Sequence, residues 1–208
     1  MIFLPAASFS KAKPTSSVTG RSGYVPFTLA HPVAVLPLAR SRLSFSALVV
    51  GSMAPDFPYF VTFSTRFQFG HSLAGVFAFC LPAGLLVLFL YHQLLKRPIL
   101  ERLPIQARQC FQSSVEPFHF LPLGRFAIIC ASIILGAITH IVWDSFTHAH
   151  GWMVQRIPAL QQTVMQFGHS DLKVYKVLQH GSSVIGVALI LWYYHRWCSA
   201  HRAVPDMI

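Results

Sequence analysis

Eleven histidines stand against six acidic residues in this chain. Imidazole is the commonest metal ligand among side chains, so the first question is whether these histidines are placed. The densest motif is Thr139-His140-Ile-Val-Trp-Asp144-Ser-Phe-Thr147-His148. His140, Asp144 and His148 recur at i, i+4 and i+8, which keeps them on one stripe of a helix. Neighbours on that stripe can share an ion. The outer pair is about 12 Å apart on a straight helix, too far for a single ion. A central carboxylate can instead bridge two ions about 3.5–4 Å apart. Alternatively, Gly151 ends the helix and His148 bends inward. The competing reading is a polar stripe that joins helices by hydrogen bonds.

Four more positions carry the same chemistry. Asp56 lies between two prolines in Met53-Ala-Pro-Asp56-Phe-Pro-Tyr59, a rigid backbone suited to holding a ligand or orienting water, or simply a turn. His71 opens an apolar segment fifteen residues after Asp56. His31 stands in Ala-His31-Pro, where Thr28 could cap a short helix that tolerates Pro32 in its first turn. His180 lies in Gln179-His180-Gly-Ser-Ser183, near the start of another apolar segment. Each could also be an ordinary interfacial or helix-terminal residue. Ser182 and Ser183 have no base and acid at triad spacing and read as packing residues.

The elements that must position these groups are lipid-embedded. Hydrophobic residues make up 54% of the 208 positions and charged ones 11%, well under the roughly 25% of soluble domains. Ser72 to Tyr91 is 20 residues without a charge. A second span begins at Phe126 and a third runs from about Tyr175 to Tyr194. Residues 26–55 hold two apolar stretches, each too short to cross alone at about 20 residues per span. They predict a bent or re-entrant pair, or one kinked span. The loop at 149–172 is expected to carry an amphipathic helix around 156–167. The fold class is all-α, a multi-spanning membrane helical bundle. Residues 1–24 read as a disordered extension, 25–198 as the embedded domain and 199–208 as a short cytoplasmic tail.

The net charge of +10 fits membrane topology better than nucleic acid, because no basic stripe with interleaved aromatics is present. Lys96, Arg97, Arg102, Arg108 and Arg125 mark the loop at 93–125 as cytoplasmic by the positive-inside rule. His71, His140, Asp144, His148 and His180 then fall at the outer ends of three spans. Cys80, Cys110, Cys130 and Cys198 lack CxxC spacing and read as buried thiols.

In combination, PFTLAHP, GSMAPDFPY, THIVWDSFTH and QHGSS resemble the bacterial membrane-protein family filed as domain of unknown function 4184, over Pro26 to about Trp197. A related group, the membrane-bound metal-dependent hydrolases of the DNA-damage-inducible inner-membrane type, shares a Pro-Asp motif followed by His and then His-x3-Asp. More distantly, the order His31, Asp56, His71, His140-x3-Asp144, His148, His180 is similar to the ligand order of zinc-dependent phospholipase C and the single-strand nucleases. That likeness implies a metal site. Val184 stands where the family pattern has Glu after the last His, and an extension precedes His31, so the likeness supports one or two ions rather than three.

These readings converge on a metal-dependent hydrolase of the inner membrane with its site on the non-cytoplasmic face. The expected cofactor is a divalent metal, zinc by ligand type, with Mn²⁺ and Fe²⁺ also suited. His31, Asp56, His71, His140, Asp144, His148 and His180 are the candidate ligands, and Asp56 is also the candidate base. The expected partners are the lipid bilayer and a lipid or lipid-linked phosphate substrate. The alternative is a non-enzymatic scaffold, metal carrier or transporter whose histidines form a closed structural site.

Overall fold

Two apolar stretches open the described chain and fold back on one another. The computed structural model describes residues 28–62, 68–111, 116–168 and 170–201. The expected N-terminal extension lies outside these residues, as do residues 202–208 of the expected tail. Thr28–Leu38 is a 3₁₀-helix with Pro32 and Pro37 inside it. Each proline removes an N–H donor and disfavours α geometry in the residue before it. The chain turns at residues 39–43 and returns as the α-helix Phe45–Met53. A 3₁₀ run of this length is uncommon. Here it is held between Phe45–Met53 and the helix Val174–His201.

Three helices are long and apolar enough to cross a membrane: Leu73–Arg102, Leu123–Arg156 and Val174–Ala200. The first span contains two π-helical segments, Val76–Cys80 and Leu90–Leu95. A proline follows each of them, Pro82 and Pro98, and the carbonyl four residues back (Ala78, Leu94) lies inside the wide turn. The ring would clash with that carbonyl in a regular helix, and the wider turn relieves the clash. The helix therefore continues past Tyr91 to Arg102, and Lys96, Arg97 and Arg102 sit on helix rather than in the loop expected over 93–125. The second span is regular over Leu123–Thr147, and the third helix continues to His201.

Phe45–Met53 runs alongside the second span in the same direction. The Ser44 N–H donates to Ser132 Oγ at 3.0 Å, and eight residues further along each helix the His140 ring donates to the Ser52 carbonyl. Between these two points the backbones cross at Gly51 and Gly136, where a Cβ on Gly136 would overlap the Leu48 carbonyl and one on Gly51 would overlap the Ile133 carbonyl. Small residues at a crossing are how membrane helices approach closely. The core follows this seam: Ala47, Leu88, Ile129 and Ile133 form one fully buried cluster, and Ala54, Val76, Cys80 and Ala137 a second. Irregular backbone is tolerated at membrane depth where protein covers it, and the hairpin is covered by the first, second and third spans.

The directions of the segments now sort the chain into two ends. Thr28, Met53, Leu73, Thr147 and Val174 lie at one end. The turn at 39–43, Arg102, Leu123 and His201 lie at the other. At the first end, residues 152–173 form two short helices, Trp152–Arg156 and Pro158–Gln161, and an antiparallel hairpin of β1 (Thr163–Phe167) and β2 (Ser170–Lys173). Of the amphipathic helix expected over 156–167, Pro158–Gln161 is helical and residues 163–167 are instead the first strand of the hairpin. β-branched Thr163 and Val164 favour strand, and Gly168 at φ +56° supplies the left-handed turn residue. It is the single sheet among the described residues of an otherwise all-α bundle.

Candidate metal centre

The deepest group is His140, which is fully buried on the second span. Its Nδ1 lies 2.7 Å from the Ser52 carbonyl oxygen, which can only accept, so Nδ1 carries the hydrogen. The close crossing at Gly136, one turn earlier, brings that carbonyl into range. Nε2 points the other way and has no hydrogen-bond partner. It faces two carboxylates, with Asp144 Oδ2 at 3.2 Å and Asp56 Oδ2 at 3.7 Å. In a neutral ring this nitrogen offers a lone pair toward negative oxygens.

Asp56 arrives on the 3₁₀ turn Ala54–Asp56 that ends the returning arm of the hairpin. Pro55 starts that turn, and Thr28 Oγ1 donates to Asp56 Oδ2 at 2.5 Å. His71 arrives on the turn Phe69–His71, just before the first span. The two turns meet because residue 70 is glycine: a Cβ there would come 2.8 Å from the Pro55 carbonyl oxygen. His71 Nε2 then lies 3.3 Å from Asp56 Oδ1 and 3.5 Å from Asp144 Oδ2.

Asp144 is the hub. Its Oδ2 faces His140 and His71. Its Oδ1 faces His31 Nε2 at 3.1 Å and His148 Nδ1 at 3.4 Å. His31 Nδ1 sits 3.3 Å from the Thr28 carbonyl, and the His31 ring stacks on His140 at 3.9 Å between centroids. The second span's helix ends at Thr147, and His148 is extended at φ −114°, ψ 142°. His148 thus turns back on Asp144 instead of lying a straight 12 Å rise from His140.

Six of the seven residues singled out by sequence therefore meet in space. The seventh, His180, is exposed on the third span, and its neighbour Gln179 places Nε2 3.0 Å from His148 Nε2. Thr28 and the Ser52 carbonyl are likewise partners that spacing alone does not reveal. A hydroxyl three residues before His31 was visible as a helix cap, and its hydrogen is used instead on Asp56.

The donor set suits a metal ion. Ligands at about 2.0–2.1 Å from one ion are separated by about 3.3 Å in a tetrahedron and about 2.9 Å in an octahedron. The His–Asp separations here run from 3.1 to 3.7 Å. Two triads have one ligand atom from each residue mutually within 4.8 Å: His31, His140 and Asp144, and Asp56, His71 and His140. They share His140, which has one free nitrogen, and Asp144 has one oxygen toward each side. Two imidazoles and a carboxylate are the protein donors that catalytic zinc and non-haem iron sites use. Side-chain exposure rises from 0% at His140 and 6% at Asp56 to 28% at His71 and 37% at His148, so the cluster opens at those last two residues.

Two groups outside the spans report the local field. Burial works against charge on Asp56. The hydrogen bond from His71, the neighbouring His140 and the Thr28 hydroxyl outweigh burial and hold the carboxyl below its ordinary range. Burial also pushes His71 down, but hydrogen bonds to Asp144 and Asp56 overcome it and raise the ring to about 9.

The family model of a domain of unknown function, DUF4184, matches residues 25–207, and the chain belongs to that family. The match opens at Val25, where the polar N-terminal texture of the sequence gives way to the first apolar stretch. Comparison with curated proteins and with solved structures finds no similar protein.

Proposed function

We propose that this protein is a membrane-embedded, metal-dependent hydrolase that cleaves a phosphoester-type bond in a lipid or lipid-linked substrate. One observation carries the metal reading. His140 Nε2 is completely buried, makes no hydrogen bond and is aimed between two carboxylates at 3.2 and 3.7 Å, while Nδ1 is committed to the Ser52 carbonyl. A buried polar atom left without a partner costs about 1–3 kcal/mol. A cation between the nitrogen and the carboxylates removes that cost.

His31, His140 and Asp144 would hold one ion. Asp56 and His71 would hold the same ion or a second one. Zinc is favoured by imidazole and carboxylate donors. When bound, the metal supplies Lewis-acid polarisation of a phosphoryl oxygen and lowers the pKa of water from 15.7 to about 7. The chain's own residues do the rest. Ser52 and Thr28 fix the rings of His140 and His31 through backbone carbonyls, and Thr28 Oγ1 orients Asp56. Asp56 accepts a proton from the attacking water or serves as a ligand. The His71–His148 rim admits substrate.

Location supports a lipid substrate. Asp144 is three residues from the end of a spanning helix and His71 is two residues from the start of another, so both lie at headgroup depth. Charge supports an outward-facing site. Of the described Lys and Arg residues, Arg156, Lys173 and Lys176 lie at the site end, while Arg40, Arg42, Lys96, Arg97, Arg102, Arg108, Arg125 and Arg196 lie at the other.

The test is hydrolysis of phosphomonoester and phosphodiester lipids by zinc-loaded protein in nanodiscs. The expected result is turnover that chelation abolishes and that Asp56→Asn lowers about 10²- to 10⁴-fold, the usual contribution of a positioned acid or base. Metal-loaded protein that cleaves none of these lipids would overturn the enzymatic reading and leave a structural or carrier site.

A further inference from the structure

We propose that the β1–β2 hairpin and the short helix Trp152–Arg156 form a membrane-docking surface for an anionic lipid leaflet, inserting Val164 and Met165 among the headgroups beside the candidate metal centre. The proposal is independent of the catalytic reading.

The argument begins with depth. β2 runs directly into the third span, and the Val174 N–H donates to the Gln162 carbonyl at 3.0 Å. Thr163 pairs with Lys173, next to the first residue of the spanning helix. At about 3.4 Å per residue along a strand, Met165 lies no more than about 7 Å from the level of Val174. The headgroup layer is about 5–7 Å thick on each side of the hydrocarbon core. Val164 and Met165 therefore lie within about one headgroup layer's thickness of the level at which the third span begins, close enough for the leaflet's composition to set their depth.

Chemistry agrees with depth. Val164 is 58% exposed and Met165 is 51% exposed, side by side at a register shift in the strand. An isolated two-stranded hairpin is marginal in water and needs another surface. Trp152 is 55% exposed, and the Arg156 guanidinium stacks over its ring at 4.0 Å. Tryptophan beside a basic residue is the usual anchor at a bilayer interface. Arg156, Lys173 and Lys176 face one acidic residue, Asp171, across the described residues of this end segment. Basic side chains at this depth each attract anionic headgroups. Lys176 is three residues before Gln179, so it shares a helix face with the side chain that touches His148 at the rim of the metal centre.

The test uses the full chain in nanodiscs, spin-labelled through Val164→Cys or Met165→Cys, with Gln106→Cys, exposed on the helix Ile105–Cys110 at the opposite end, as the reference. Cys80, Cys110 and Cys198 are buried and Cys130 is half-buried, so labelling of the unsubstituted protein sets the background to subtract. In discs containing phosphatidylglycerol, both labels should lose accessibility to a water-soluble nickel relaxant and gain accessibility to oxygen, relative to the reference. In phosphatidylcholine alone, both should move outward. Water-like accessibility in the anionic discs overturns the proposal, and so does equal depth in the two lipid compositions. Dipolar broadening between labels in discs holding two chains, the sign of a second copy seated on the hairpin, overturns it as well.

Discussion

At the scale of single residues, the account rests on Asp144 and His140. Asp144 spends one oxygen on His31 and His148 and the other on His140 and His71. Asp144→Asn keeps the shape and removes half of the carboxylate charge at the centre. It is expected to abolish tight metal binding by isothermal titration, whereas Gln179→Ala, which removes the side-chain hydrogen bond to His148, should weaken it by about 10- to 100-fold as outer partners do. Proton linkage gives a second expectation. His71 is raised from an ordinary 6.5 to about 9 by Asp144 and Asp56, so the ion-free protein holds this proton at neutral pH. A metal can bind only the deprotonated ring, so binding expels a proton and affinity climbs with pH until about 9, then levels off. Titrations at pH 7.5 in buffers of different ionisation enthalpy should therefore show about one proton released per ion. Zero release would show that His71 stays outside the metal shell.

At the scale of elements, the site depends on two helices that run side by side through glycine. Gly136→Ala should force the Leu48 carbonyl away and cost about 1–3 kcal/mol, as overpacking does. It should also pull the Ser52 carbonyl off His140 and weaken metal binding. Gly124→Ala on the same helix meets open space and should change neither. Thermal unfolding in detergent and zinc titration of the two variants check both statements. The same elements show what the sequence could reveal. The i, i+4 spacing of His140 and Asp144 is a property of helix geometry and was readable directly. The bent N-terminal pair was readable from two apolar stretches too short to span and from their prolines. The contact of Gln179 with His148 was not, because it depends on the rotation of a helix about its own axis, which packing against Ala30 and Trp143 decides. The strand at 163–167 was not legible, because its signals, two β-branched residues and a glycine turn, are too few to outweigh a helical period over the same stretch.

At the scale of the whole molecule, helix direction gathers the chemistry at one end and the bulk of the positive charge at the other. By the positive-inside rule, a tag after Ile208 is cytoplasmic and a cysteine at position 155, on the exposed face of the helix Trp152–Arg156 at the site end, is reached by an impermeant maleimide from outside intact cells. The reverse labelling pattern would place the centre in the cytoplasm and remove the outward-facing substrate argument, without touching the metal. The metal itself is the central claim, and elemental mass spectrometry of detergent-purified protein tests it most directly. Wild type should carry about one to two zinc, manganese or iron ions per chain, the number its two triads can hold. The His140→Ala, Asp144→Ala double variant should carry none while remaining folded by circular dichroism. No metal in the wild type, even after incubation with each of these ions, would contradict the account and leave the histidine cluster as hydrogen-bonded packing between helices.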